Sequence, residues 1–225
     1  MRYYPVNLDI RERACLVVGG GGVGARKVDT LLKCGAIVTV VSPEATSSLD
    51  RLAEEGAIVL ERREYRSSDV KGQFLVIGAT DDEDLNRQIH ADAERIGLLC
   101  NIADRPEICN FILPAIVRRG DFMLAISTAG KSPAFAKHMR QRLEAQFGPE
   151  YGKLLDLMGA IRQKLLAEAH EPEAHKPLFE RLIAGDLLEL VKTGEKDRID
   201  RLLEEVLGPG YRYDQLMTAD RQPGE

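Results

Sequence analysis

The sequence has no tryptophan and few aromatic residues of any kind, and it carries no excess of positive charge. Aromatic side chains are the platforms on which single-stranded nucleic acid stacks, so their scarcity argues against that class of function. Lysine and arginine total 31 against 36 aspartates and glutamates, a formal net charge of −5. A general nucleic-acid-binding protein would carry a basic surface instead. We therefore expect no nucleic-acid partner.

Long apolar runs and paired cysteines are also missing. A membrane helix needs a run of about 20 apolar residues, and no stretch approaches it. The first residues also lack the apolar run of a secretory signal. The four cysteines show no Cys-x-x-Cys spacing, so reduced thiols in the cytosol are the simplest interpretation. These absences predict a cytoplasmic protein with no membrane partner.

A resident metal site is not expected. Cys100 and Cys109 do not make a closed site. The four histidines show no ligand spacing and are interpreted as surface residues: His90, His138, His170 and His175.

The first half of the chain alternates strand and helix signals. Helices between successive strands require crossover connections, so the pattern predicts an α/β domain with a doubly wound, mostly parallel sheet of the Rossmann type. Ser42-Pro43 is expected to end the second strand, and Asp81 or Asp82 to cap the helix after the fourth. Apolar runs predict five strands, at 15–18, 37–41, 58–60, 74–77 and 98–101.

After about residue 110 the pattern changes. Two apolar segments, 111–117 and 122–126, flank a polar turn and predict a hairpin. Ser132-Pro133 then begins a helix, with a capping residue followed by proline. From Tyr151 onward the apolar spacing is helical, and the polar residues after Gly210 are expected to be frayed.

A glycine-rich motif, Gly19-x-Gly21-x-x-Gly24, directly follows the first predicted strand and begins a helix. In dinucleotide-binding folds the first glycine permits the tight turn, the second lets amides approach a pyrophosphate, and the third lets the helix pack on the strand. The amides of Gly22 and Val23 would then face the phosphates. The alternative is a turn without a ligand, but four consecutive glycines raise the entropy of the unfolded chain. We predict a dinucleotide at this turn.

The ends of the second and fourth strands supply further cofactor candidates. An NAD-binding fold usually has an acidic residue at the end of its second strand, where Ser42, Pro43 and Glu44 stand here. Either Glu44, or Ser42 with backbone groups, is expected to hold the ribose. No arginine lies there to bind a 2′-phosphate, so NAD is preferred over NADP. Thr80 is a candidate to hydrogen-bond the dinucleotide.

Three further residues point to a reaction. Asp104 follows the fifth strand, at the edge of the sheet where ligands of doubly wound folds lie, and a carboxylate there can accept a proton. An aspartate after a strand is as often only a turn residue. Lys131 and Ser132 precede a helix start, which suits an acidic ligand. The alternative is that the basic residues here only solvate an outer face.

Five segments in order resemble the precorrin-2 dehydrogenases of the siroheme synthase N-terminal type. The resemblance is strong over residues 1 to about 150 and loose over the helical tail. It implies oxidation of precorrin-2, a tetrapyrrole, to sirohydrochlorin by NAD. It further implies catalysis by Asp104 and substrate contacts by Asn101, Thr128, Lys131 and Ser132. The segments are Cys15-Leu-Val-Val-Gly-Gly-Gly-Gly-Val-Gly-Ala-Arg-Lys27, Gly78-Ala-Thr-Asp-Asp82, Cys100-Asn-Ile-Ala-Asp104, Phe111-Ile-Leu-Pro114 and Ile126-Ser-Thr-Ala-Gly-Lys-Ser-Pro133.

The resemblance also implies a homodimer and a division of the chain. We expect an NAD-binding domain at 1–110, a dimerisation segment of hairpin and helix at 111–148, and a helical C-terminal domain at 149–225. Some members insert ferrous iron, which would bind through the tetrapyrrole nitrogens, so a bifunctional enzyme is one alternative. A non-enzymatic NAD sensor is another. The methyltransferase domain of some relatives is not expected here.

Overall fold

The computed structural model describes residues 3–168 and 172–219, the side chains of 172–174 and 219 excepted. The chain divides into two compact units, one of Met1–Leu113 with Ala129–Lys131 and one of Pro114–Thr128 with Ser132–Glu225. The three-part division at 110 and 148 stays a prediction.

The first unit is built on a five-stranded sheet in which every pair of neighbouring strands is parallel. The order β3-β2-β1-β4-β5 confirms the doubly wound sheet that the sequence predicts. The strands are β1 (Ala14–Gly20), β2 (Ile37–Ala45), β3 (Val59–Glu61), β4 (Leu75–Gly78) and β5 (Leu99–Ile102).

The prediction that Ser42-Pro43 ends β2 is wrong. Ala45 still pairs with Gly20, across an irregularity in β1 between Val18 and Gly20. Pro43 therefore lies where the regular ladder is interrupted, so its missing N–H removes little from the sheet.

Helices cover both faces of the sheet. They are α1 (Gly22–Lys33), α2 (Ser47–Glu54) and α3 (Glu83–Arg95). Alternate strand residues point to opposite faces, so Val17 packs with α1 and α2 while Leu16 packs with α3. The carboxylate of Asp82 accepts hydrogen bonds from the amides of Asp84 and Leu85, both at 3.0 Å, and caps α3 as one of the two predicted candidates.

The strands β2 and β3 are added to one side of β1, and β4 and β5 are added to its other side. This change of side between β3 and β4 places β1 next to β4 at the centre of the sheet. Val18 and Gly78 face each other near the carboxyl ends of these two strands. The crevice beyond such a switch point is the ligand position of open α/β sheets. The glycine turn begins at the same edge.

The second unit begins with an antiparallel hairpin, β6 (Ala115–Arg119) and β7 (Phe122–Ile126), as predicted. β6 starts later than expected: Phe111, the first residue of the predicted strand, instead accepts a hydrogen bond through its carbonyl oxygen from Asn101 Nδ2 of β5 at 3.1 Å. The helix α4 (Pro133–Gln146) follows, and Ser132 Oγ accepts from Phe135 N at 3.1 Å, which confirms the predicted cap.

The rest of the second unit is helical, as predicted, and two expectations fail in it. Tyr211 and Leu216 are buried, so the residues after Gly210 are packed as far as they are described rather than frayed. His175 is buried, not on the surface. His138 is exposed, as predicted, and His170 lies outside the described residues. The helices are α5 (Glu150–Ala167), α6 (Pro172–Ala184), α7 (Leu187–Thr193), α8 (Lys196–Leu207) and α9 (Tyr213–Ala219).

Within the described ranges, no helix is both long enough and apolar enough to cross a membrane. Over the same residues, no group of three or more histidine, cysteine or acidic side chains is arranged to hold a metal ion.

Candidate active site

The glycine turn between β1 and α1 contains glycines of two kinds. A Cβ on Gly19 would lie 2.4 Å from the carbonyl oxygen of Ala79, and one on Gly24 would lie 2.0 Å from the carbonyl oxygen of Gly19. The fold itself requires both, Gly19 also through its φ of +112°. A Cβ on Gly21 or Gly22 would meet nothing within 4 Å, and Gly21 has an ordinary φ of −73°. Nothing in the described chain explains glycine at Gly21, whereas the close approach of a ligand does.

The start of α1 presents backbone amides that the helix does not use. The helix ladder begins with Ala25 N donating to Gly21 O at 2.9 Å, so the amides of Gly22, Val23 and Gly24 precede it. The N-terminal residue Gly21 has no side chain with which to cap them. Such amides, at the positive end of the helix dipole, favour a phosphate group. The geometry is therefore the one that the predicted pyrophosphate site needs.

A groove of about 490 Å³ opens at the carboxyl ends of β1, β2 and β4. It brings together four of the predicted cofactor residues, which are Gly19, Ser42, Pro43 and Thr80. A groove at this place in the sheet suits the adenosine half of a dinucleotide.

The end of β2 differs from the expectation in one respect. Ser42 is buried at the groove, but Glu44 is exposed and is not among the residues that line it. The carbonyl oxygen of Glu44 would lie 2.2 Å from a Cβ on Gly20, so Gly20 is also required by packing. Sequence reasoning gave Gly20 no role because the approach of β2 is visible only in three dimensions.

Thr80 lies where β4 gives way to α3. Its hydroxyl accepts from Asp82 N at 3.0 Å, and its carbonyl oxygen accepts from Asn86 Nδ2 at 2.9 Å. These bonds leave the hydroxyl proton of Thr80 available to a ligand in the groove.

Asp104 lies in the turn that follows β5. Arg105 N donates to Ile102 O at 3.3 Å across the turn, and Asp104 has a φ of +60°, which aspartate tolerates better than most residues. Its carboxylate is exposed and, within the described residues, has no hydrogen-bond or salt-bridge partner. The group is therefore available to a substrate.

Buried polar groups hold the loop after Asp104 against β5. Cys109 Sγ accepts from Ile102 N and donates to Arg105 O, both at 3.1 Å. Burial raises the pKa of the Cys109 thiol, which keeps it protonated for this role. Asn101 is buried, and its Nδ2 donates to Phe111 O at 3.1 Å and to Cys109 Sγ at 3.7 Å. This use of the Asn101 amide leaves only its carbonyl oxygen for the predicted substrate contact.

Lys27 is a basic residue on the inner face of α1, which sequence reasoning did not select. Its helical neighbours Gly24, Val28 and Leu31 are buried, and Lys27 itself is half-buried. Burial lowers the pKa of the Lys27 ammonium, and the negative charge of Asp104 acts in the opposite direction. The ammonium makes no hydrogen bond or salt bridge within the described chain. A lysine at helical spacing among apolar residues was the signal that could have revealed it.

The remaining predicted substrate residues lie around the loop before α4. Thr128 Oγ1 accepts from Ser132 N and donates to Ser132 O, both at 3.2 Å, and the Ser132 hydroxyl caps α4. Lys131 is exposed, without a hydrogen-bond partner among the described residues. Ala129, with a φ of +53°, and Gly130 turn the chain before it. The ammonium of Lys131 is thus available, whereas the two hydroxyls already have local partners.

The switch-point groove, the open glycine turn and the free amides of α1 together define a dinucleotide-binding α/β protein. Comparison with known proteins agrees. A family model described as NAD(P)-binding matches residues 6–115, one described as the sirohaem biosynthesis protein central region matches 119–146, and one described as the sirohaem synthase dimerisation region matches 150–207.

Individual proteins of known sequence or structure are also similar to this chain. The chain is 40% identical over 210 residues to a siroheme synthase of Thioalkalivibrio sulfidiphilus, covering 93% of this chain and 43% of that protein. It is 36% identical to a siroheme synthase of Nitrosococcus oceani, covering 94% and 45%. The chain thus spans less than half the length of these curated relatives. A solved structure named SirC, precorrin-2 dehydrogenase, matches with a TM-score of 0.76 and 26% identity over 90% of this chain and 100% of that one. The chain is thus similar to the N-terminal part of siroheme synthases and to a precorrin-2 dehydrogenase over most of its length.

Proposed function

We propose that the protein oxidises precorrin-2 to sirohydrochlorin with NAD in siroheme biosynthesis. The observation that carries the proposal is the open space at Gly21, beside free helix amides and a groove at the switch point of the sheet. The precorrin-2 dehydrogenase structure that matches 90% of this chain supports the choice of substrate.

The residues present fit the cofactor. The amides of Gly22 and Val23 would hold the pyrophosphate, and Ser42, Pro43 and Thr80 would border the adenosine half. When bound, NAD supplies the acceptor for the hydride that leaves the tetrapyrrole. Asp104 follows β5, the neighbour of β4 in the sheet, and its free carboxylate would accept the proton that the substrate loses.

Lys27 gives the substrate a second point of attachment. The tetrapyrrole carries several carboxylates, and the half-buried ammonium within electrostatic reach of Asp104 has no partner of its own in the described chain. A carboxylate bound there would satisfy the ammonium and hold the reacting carbon near Asp104. Lys131 is a further cation for another carboxylate.

The test is anaerobic turnover of precorrin-2 with NAD, followed by absorbance. Formation of sirohydrochlorin with equimolar NADH is the expected result. A protein that binds NADH but never oxidises precorrin-2 would instead fit an NAD sensor. Adding ferrous ion to sirohydrochlorin in the same assay tests the bifunctional alternative, for which the free carboxylate of Asp104 could accept pyrrole N–H protons.

We also propose that the protein forms a homodimer and acts in the cytoplasm. The chain is proposed to divide into three parts, with boundaries at residues 110 and 148. Free, buried thiols such as Cys15 suit a reducing compartment. The matched dimerisation region, 150–207, lies in the helical part and not in the hairpin-plus-helix segment to which sequence analysis assigned that role. Analytical sedimentation of the whole chain measures its oligomeric state. Substitutions in the hairpin-plus-helix segment and in residues 150–207 would show which of the two joins the subunits.

A further inference from the structure

We infer that Glu64, not Glu44, is the residue that selects NAD over NADP by accepting hydrogen bonds from the adenosine ribose. The inference deepens the proposed function and rests on the cofactor site described above.

Glu64 and Glu44 occupy different places at the carboxyl edge of the sheet. Glu64 follows β3 and lines the groove, together with Ser42 at the end of β2. Both side chains are exposed, but Glu44 continues β2 and is not among the residues that line the groove. The usual ribose position at the end of β2 is filled by Ser42, which has no charge. A carboxylate from the next strand therefore takes the place of the missing acid.

The other carboxylates at the groove already have partners. Asp82 caps α3 through its Oδ1, and Asp84 pairs with Arg87 at 3.4 Å. The carboxylate of Glu64 makes no hydrogen bond or salt bridge in the described chain. Both oxygens of Glu64 are thus available to two adjacent hydroxyl groups, whereas Asp82 and Asp84 each have one oxygen already engaged.

The charge of the groove favours the same selection. Among its described lining residues Glu64, Asp82 and Asp84 are acidic, and none is lysine or arginine. The neighbouring Arg63 is directed elsewhere, because its guanidinium binds Asp69 at 2.8 Å and also pairs with Glu61. A 2′-phosphate would therefore meet negative charge without a cation to neutralise it.

Fluorescence titration of the whole protein with NADH and with NADPH tests the inference without any turnover. The wild type should bind NADH at least about tenfold more tightly than NADPH. Glu64→Gln should weaken NADH binding by about tenfold, because a charged acceptor is lost, and should reduce the preference over NADPH. Glu64→Arg should favour NADPH. Glu54→Gln, on the exposed surface of α2, is the matched control and should bind both nucleotides as the wild type does.

The outcomes separate this inference from the proposed function. If Glu64→Gln keeps wild-type affinity and preference while Glu44→Gln loses them, the assignment to Glu64 is overturned. If both variants keep them, backbone groups and Ser42 hold the ribose and the inference is equally wrong. If the folded wild type binds neither nucleotide, the proposed function itself fails.

Discussion

Replacing the glycines of the turn one at a time should separate those that the fold needs from those that a ligand needs. In Gly24→Ala the new Cβ would lie 2.0 Å from the carbonyl oxygen of Gly19, so α1 and β1 must move apart by more than an ångström. Overpacking of this severity costs about 3 kcal/mol of the free energy of unfolding. Nucleotide affinity should fall with it, because the helix amides move too.

Gly21→Ala should behave in the opposite way. Its Cβ meets nothing within 4 Å and its backbone has an ordinary φ, so the free energy of unfolding should change by less than about 1 kcal/mol. The same methyl group would stand where a pyrophosphate must approach the amides. NADH affinity should therefore fall at least about tenfold, equivalent to about 1.4 kcal/mol. Gly21→Asp adds a charge and should abolish binding.

Urea denaturation and NADH fluorescence titration on the same preparations measure the two effects. The reasoning is refuted if Gly21→Ala binds NADH as tightly as the wild type, since the turn would then not hold the phosphates. It is also refuted if Gly24→Ala unfolds at the wild-type urea concentration, since the close packing of α1 on β1 would then be wrong.

Two further substitutions test the remainder of the site, and a third tests a buried hydrogen bond of Tyr65, which lines the groove. Asp104→Asn should lower precorrin-2 turnover by about two orders of magnitude with NADH affinity unchanged, and full activity would remove Asp104 from the mechanism. Lys27→Met keeps the apolar stem of the side chain but removes its charge. It should raise the KM for precorrin-2 about tenfold and leave kcat and NADH affinity little changed. An unchanged KM would exclude the proposed carboxylate contact. Tyr65→Phe removes the 3.0 Å hydrogen bond to the buried Asp92 and should cost about 2 kcal/mol in urea denaturation, whereas a wild-type midpoint would show that this bond contributes nothing.

Local signals in the sequence were enough to determine the parallel sheet, the position of the glycine turn, the hairpin and the helix that Ser132 caps. Each of these depends on short-range physics: apolar runs, glycine conformation and capping hydrogen bonds. The limits of local reasoning appear at β2, where Pro43 looks like a strand end. Only the approach of Gly20 to the backbone of β2 shows that the strand continues.

Tertiary structure alone decided which side chains share the site. Glu64 is separated from Ser42 by α2 and β3 in the chain, yet both line one groove because parallel strands end at the same edge of the sheet. The apolar spacing around Lys27 places it on the inner face of α1, but only the packing of α1 places its ammonium near Asp104. The buried state of His175 likewise depends on neighbours that are distant in the chain. Local patterns specify the elements, whereas burial and charge at a site depend on how the elements pack.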